Sequence, residues 1–184
     1  MKIDNAQNTV LISGGTQGLG LEIARNLVEN GCREIILSGR TAEKGTRAEA
    51  EISALGASCH YIQADISDAA QAQNLIETAI THFEGLNSLV NSAATTTRGS
   101  LVDTDLDLWD HHINTNLRGP FLLMQGLARH LLAKQAAGSM VNILSTSAHV
   151  GQSFLTAYST SKGGLLTLTK NTANALRANK IRVN

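Results

Sequence analysis

TVLISGGTQGLGLEIARNLVEN (9–30) reads as a strand, a glycine-rich turn and an amphipathic helix in immediate succession. The apolar run TVLISG (9–14) has the length of a buried strand. LGLEIARNLVEN (19–30) repeats its apolar residues at helical period and meets Gly31, a C-terminal stop signal. Between them stands SGGTQGLG (13–20), with glycines at 14, 18 and 20. Such a turn lets a pyrophosphate approach the backbone, and the helix behind it offers free N–H groups and the positive end of its dipole. The spacing is G-x-x-x-G-x-G rather than G-x-G-x-x-G. A glycine-rich turn alone is a weak signal. Placed after a first strand and before a helix, it points to dinucleotide binding by Gly14, Thr16, Gln17, Gly18, Leu19 and Gly20.

The same alternation continues along the chain. EIILSG (34–39), SCHYIQAD (58–65), NSLVNSA (87–93), SMVNIL (139–144) and IRVN (181–184) read as strands. AEKGTRAEAEISAL (42–55), AAQAQNLIETAITHF (69–83), residues 105–134 and residues 157–179 read as helices, and TTTRGS (95–100) as a polar loop. This rhythm predicts one α/β domain of Rossmann type over 1–184, a doubly wound parallel sheet with right-handed crossovers. Pro120, the sole proline, falls inside the 105–134 pattern and is expected to break or kink it near Asn116 to Gly119, freeing backbone groups close to Asn116.

Composition narrows the class. Lys plus Arg and Asp plus Glu are both 15, so a formal charge of zero gives no reason to expect a nucleic acid or an anionic membrane as partner. Aromatics at 3% against hydrophobics at 42% require an aliphatic core, which suits a sheet sandwiched by helices. No run of 18 apolar residues spans a membrane, and MKIDNAQNTV (1–10) has no apolar leader, so a cytoplasmic location is expected. Cys32 and Cys59 lack metal spacing and read as two buried free thiols. The histidines are scattered, and adjacent His111 and His112 cannot share a helix face, so no metal site is expected.

In an open parallel sheet, ligands bind outside the carboxyl ends of the strands. The second strand ends at Ser38-Gly39-Arg40 with no carboxylate for a ribose 2′-hydroxyl, and a guanidinium there suits a 2′-phosphate. The bland alternative is a solvated arginine. Tyr158 and Lys162 form an i, i+4 pair near the start of the long helix. A free phenol ionises near pH 10, and a neighbouring ammonium favours phenolate, which makes Tyr158 a candidate acid/base. Ser145, at the end of the fifth strand, is placed to donate to a substrate oxygen; it could equally be a local backbone cap, and Ser147 competes for the role. Asn116 could be a helix-turn cap, and Asp65 the N-terminal cap of its following helix.

Taken together these residues resemble the short-chain dehydrogenase/reductase family in its one-domain branch, from about residue 8 to 184. The resemblance rests on SGGTQGLG, Asp65-Ile66, Asn91-Ser92-Ala93, Asn116 in TNLRGPF, Ser145 in MVNILSTSAHVG, and Tyr158-Ser-Thr-Ser-Lys162. It implies that Tyr158 exchanges a proton with a carbonyl or hydroxyl and that Ser145 polarises it. Lys162 would bind the nicotinamide ribose and Asn116 hold a relay water. Asp65 and Ile66 would contact adenine, while Asn91 and Ala93 would lie at the central strand beside the cofactor. Arg40 resembles the NADP-preferring pattern, although Gln17 stands where some such enzymes carry a basic residue. Ser13 replaces the usual Thr, and Ser92-Ala93 the usual Ala-Gly.

The reading is an NADP(H)-dependent oxidoreductase, with NAD the lesser choice, acting on a small carbonyl or alcohol; a 3-oxoacyl-thioester reductase is one candidate. The alternatives are a non-catalytic NADP(H)-binding regulator on the same fold and, disfavoured by its glycine spacing, an epimerase or dehydratase. The resemblance also implies a homodimer or homotetramer. It further implies a C-terminal substrate loop and last strand past IRVN, roughly 60–80 residues on the domain-size prior.

Overall fold

The computed structural model describes residues 4–184. Six strands, β1 (Thr9–Ser13), β2 (Glu34–Gly39), β3 (Ser58–Gln63), β4 (Ser88–Asn91), β5 (Gly138–Asn142) and β6 (Ile181–Val183), pair in the order β3-β2-β1-β4-β5-β6. Every pairing is parallel. The order reverses between β1 and β4, which opens a crevice at the carboxyl ends of the two strands.

Successive strand residues face opposite sides of a sheet. Leu11, Ile36, Leu89 and Met140 therefore pack on one side, with residues of α3 (Ala69–His82) and α5 (Gly119–Lys134). Val10, Ile12, Ile35 and Leu37 pack on the other, with α1 (Gly18–Glu29) and α2 (Ala42–Ala54). Covering both faces explains why β1 is buried throughout, while β3, at the edge, is half-buried. Each fully buried Leu or Ile contributes roughly 1.5–3 kcal/mol.

A chain of buried polar side chains crosses the sheet beneath the crevice. Ser13 Oγ donates to Asn91 Oδ1 (3.3 Å), Asn91 Nδ2 to Asn142 Oδ1 (2.8 Å), and Asn142 Nδ2 to Thr169 Oγ1 (2.9 Å). It ties β1, β4 and β5 to α6 (Thr156–Leu176).

The expected 105–134 helix is α4 (Leu106–Ile113), a π-turn over Asn114–Arg118, and α5. The chain widens at this point and is not broken. Pro120 sits in the first turn of α5 and has no N–H to return to the carbonyl four residues back, that of Asn116. The other differences are at the ends of elements. The long helix stops at Leu176 and tightens to a 3₁₀ turn over Arg177–Asn179. β2 ends where its apolar run ends, and the other strands stop one or two residues short of theirs. Cys32 is buried as expected, but Cys59, on the edge strand, is only half-buried; both thiols are free.

Candidate active site

A cleft of about 410 Å³ lies over the carboxyl ends of β1, β2 and β4. Gly14, Thr16, Gln17, Gly18, Leu19 and Gly20 form its floor; Ser38, Arg40, Asp65, Ile66 and Ala93 stand round it. The turn needs its glycines. Gly14 has φ +72°, and a Cβ there would stand 2.6 Å from Ala93 N. At Gly20 a Cβ would come within 2.2 Å of Gly14 O, which is what lets α1 start directly against the turn. The N-terminus of α1 has no side-chain cap and no acidic residue in its first turn. Its free N–H groups therefore face the cleft as an anion-binding end.

The rim at β2 is cationic. Arg40 is 65% exposed, with its guanidinium 3.9 Å from the Asp65 carboxylate. Gln63 Nε2 donates to the Arg40 carbonyl (2.9 Å) and fixes its backbone. Lys44, in the first turn of α2, also lines the cleft, and its ammonium donates to Gln17 Oε1 at 2.6 Å. Asp65 is not the cap of its following helix. Asp68 is, accepting from Gln71 N, while the Asp65 carboxylate accepts from Ser67 N and Oγ in a turn that separates it from α3.

A second cluster adjoins the cleft without lining it. Tyr158 lies in the first turn of α6, and Lys162 one turn later is 3% exposed. The Lys162 ammonium stands 6.0 Å from the centre of the Tyr158 ring and donates to Ile143 O at 2.7 Å. Burial lowers the Lys162 pKa from 10.5 to about 8. Ser145 caps the 3₁₀ turn Thr146–Ala148, with its Oγ 3.2 Å from Ser147 N and 2.8 Å from Ser147 Oγ. Asn116 is wholly buried and bridges elements where a turn cap was the alternative. Its Oδ1 accepts from Thr95 N, and its Nδ2 donates to Thr95 O and Ser161 Oγ. Ser161 Oγ donates in turn to Tyr158 O (2.7 Å). Thr95 and Ile143, which line the cleft, are thus the links between the two clusters. Asn91 does not line it; it lies below, in the buried polar chain.

Residues 8–184, nearly the whole of the sequence, match the family model described as short chain dehydrogenase. The protein belongs to the short chain dehydrogenase family. It is accordingly an oxidoreductase acting on alcohol or carbonyl groups with a nicotinamide cofactor. It is similar to a 3-oxoacyl-(acyl-carrier-protein) reductase of Staphylococcus aureus, 32% identical over 176 residues, which are 96% of this chain and 71% of the relative. Among solved structures it resembles a short chain dehydrogenase of Burkholderia cenocepacia in complex with NADP (31% identity, TM-score 0.89, all of this chain and 74% of that one). It also resembles an NAD+-bound xylitol dehydrogenase (25% identity, TM-score 0.91, all of this chain and 70% of that one).

The residues of this short chain dehydrogenase fit such a cofactor. Gly18 has φ +54° and nothing within 4 Å of where its Cβ would be, so the turn opens onto free space in front of α1. Ser38 Oγ is buried at the cleft without a hydrogen-bond partner. A buried hydroxyl without a partner is costly, and a ribose or phosphate oxygen would satisfy it. Among the described residues no cluster of His, Cys, Asp and Glu could hold a metal, and no helix is long and apolar enough to cross a membrane.

Besides Thr95, Ile143 and Ser161, two residues of the site were not singled out from the sequence for it. Lys44 is a helix-surface lysine until the fold brings α2 beside the glycine turn; its position four residues after Arg40 was the available signal. His112 is fully buried, donates from Nδ1 to Leu108 O (2.9 Å), and meets the Tyr158 ring edge-on at 6.3 Å between centroids. Its Nε2 has no partner. His111, next in the chain, lines the cleft. The pair faces two ways, as adjacent helix residues must.

Proposed function

We propose that the protein interconverts a carbonyl and a secondary alcohol with NADP(H) in preference to NAD(H), by a Ser145–Tyr158–Lys162 mechanism. A bound nicotinamide would supply or take the hydride. In the reductive direction Ser145 Oγ donates a hydrogen bond to the substrate oxygen, and Tyr158 gives it the proton. The buried Lys162 ammonium stands beside the Tyr158 ring and would donate to the cofactor's ribose. The three side-chain bonds of Asn116 are already made, so its role is to hold Thr95 and Ser161 in place. Its main-chain carbonyl, to which Pro120 offers no N–H, would hold the relay water.

One observation carries the catalytic reading: a buried ammonium pinned to Ile143 O faces the Tyr158 ring at the carboxyl end of the sheet. Preference for NADP rests on Arg40 and Lys44 together at the end of β2, where a guanidinium and an ammonium suit a 2′-phosphate. Asp65, whose carboxylate is 3.9 Å from the Arg40 guanidinium, and Ile66 would meet the adenine. Likeness to a 3-oxoacyl reductase supports a small 3-oxoacyl thioester as the first substrate to try. A cytoplasmic homodimer or homotetramer is part of the same reading, with neither nucleic acid nor membrane as partner.

The test is NADPH oxidation by the purified protein with a 3-oxobutanoyl thioester, a cyclic ketone and an aldehyde, repeated with NADH. Turnover of at least one carbonyl, faster with NADPH, is expected. Tight NADPH binding with no turnover of any of them would instead favour a non-catalytic regulator, and equal use of NADH would remove the cofactor preference.

A further inference from the structure

We infer that Ser147 is a positioning residue that sets the direction of the Ser145 hydroxyl, forming a one-way hydrogen-bond chain from Ser147 through Ser145 to the substrate oxygen. The inference rests on the proposed role of Ser145.

Ser147 is 5% exposed, whereas Ser145 is half-buried. The two hydroxyl oxygens are 2.8 Å apart, and distance alone leaves either as donor. Burial decides between them. Ser147 Oγ has Ser145 Oγ as its partner among the described hydrogen bonds. If Ser145 donated to Ser147, the Ser147 hydrogen would be left buried without an acceptor. A buried donor without an acceptor is costly, and Ser145 would have no hydrogen left for a substrate. If Ser147 donates, its hydrogen is satisfied.

Ser145 Oγ then accepts twice, from Ser147 Oγ and from Ser147 N at 3.2 Å. Both of its lone pairs are used. Its single hydrogen is the one remaining polar valence, directed to the half-open side. A hydroxyl that already accepts two bonds is also a stronger donor, because chained hydrogen bonds polarise one another. The rigid backing comes from the 3₁₀ turn Thr146–Ala148, against which α6 packs, and from the Lys162 bond to Ile143 O two residues upstream. No bond is made or broken by either serine; the proton that reaches the substrate is that of Tyr158.

Four variants test this with NADPH and the fastest of the three carbonyls named above: Ser147→Ala, Ser147→Thr, Ser145→Ala, and the double alanine variant. Ser147→Ala keeps the amide donor and removes the hydroxyl. It is expected to lower kcat roughly 3- to 10-fold, the worth of one net hydrogen bond, with KM and NADPH affinity within about 2-fold. Ser147→Thr restores the hydroxyl and is expected to recover most of kcat. In the Ser145→Ala background, removing Ser147 Oγ should change nothing further. In the cofactor-free protein, NMR should show a Ser147 hydroxyl proton slow to exchange with solvent, absent in Ser147→Ala and exposed to exchange in Ser145→Ala.

An unchanged kcat in Ser147→Ala, beside an inactive Ser145→Ala, overturns this inference and leaves the role of Ser145 standing. An equal loss in both backgrounds also overturns it, since Ser147 would then act on structure alone. If Ser145→Ala keeps parental turnover, or no carbonyl is turned over, the reading beneath it fails and takes this inference with it.

Discussion

Lys162 Nζ donates to the carbonyl oxygen of Ile143 at 2.7 Å, which fastens a buried cation to the residue that follows β5. The bond offsets only part of what burial takes away, since desolvation still lowers the pKa from 10.5 to about 8. Below pH 8 the folded protein holds a charge that the unfolded chain would hold more easily in water. Between about 8 and 10.5 the unfolded chain binds more protons at this position than the folded one. Stability from this group therefore rises with pH across that window and is flat below it.

Lys162→Met removes the titration without emptying the space. The Tm of the cofactor-free parent, measured relative to this variant, is expected to climb as pH goes from about 8 to 10.5. Thermal melts of both proteins at half-unit pH steps measure it. A constant difference throughout would mean that Lys162 titrates as an ordinary surface lysine.

Tyr158→Phe should leave α6 and the ring contact with His112 intact while removing the phenolic proton. Turnover is expected to fall roughly 10²–10⁴-fold, the usual worth of one acid/base group, with NADPH binding retained. Stopped-flow turnover and NADPH fluorescence titration separate the two effects. A variant within a few-fold of the parent would remove Tyr158 from the chemistry.

Arg40→Ala and Lys44→Ala bear on the proposed cofactor preference. Each should lower kcat/KM with NADPH, Arg40→Ala by roughly 10- to 100-fold, the scale of hydrogen bonds to a charged group, and Lys44→Ala by less. Neither should reduce kcat/KM with NADH, because the second cofactor lacks the phosphate. Parallel losses with both cofactors would show that the two cations serve the cleft in some other way.

The fold was legible because its strands are buried on both faces, so runs such as VLI (10–12) and IIL (35–37) stay apolar without alternation. The glycine turn, Arg40, Asp65, Ser145, Tyr158 and Lys162 were legible because strand order places them at one end of the sheet. What escaped was fixed by packing between distant segments. Lys44 reaches the cleft only because α2 lies beside the glycine turn. His112 meets Tyr158 because α4 packs on α6, and no spacing in the chain encodes that contact. Two aspartates three residues apart, Asp65 and Asp68, could each have capped α3, and the turn between them gave the place to Asp68. Pro120 foretold an irregularity at Asn116, but not that it would be a π-turn over Asn114–Arg118 with Asn116 held by Thr95 and Ser161, partners distant in the chain.

The polar chain under the cleft gives a prediction about stability that also reaches the site. Asn91 Nδ2 donates to Asn142 Oδ1 at 2.8 Å, and both residues are buried. Asn142→Leu removes the acceptor and leaves Asn91 Nδ2 buried and unpaired, at about 1–3 kcal/mol. For a chain of this size that corresponds to a fall in Tm of roughly 2–12 °C. Asn91→Leu does the same to Asn142 Oδ1 and also strands Ser13 Oγ. The double variant Asn91→Leu with Asn142→Leu removes both partners of the shared bond, so its loss should be smaller than the sum of the single losses by about 0.5–3 kcal/mol. Denaturant melts of the four proteins close the cycle. Because Ile143 follows Asn142 directly and Ser145 is three residues on, the single Asn142→Leu variant should also lose turnover beyond its loss of folded protein. Strict additivity of the two changes would show that the Asn91–Asn142 bond contributes nothing of its own to holding β4 against β5.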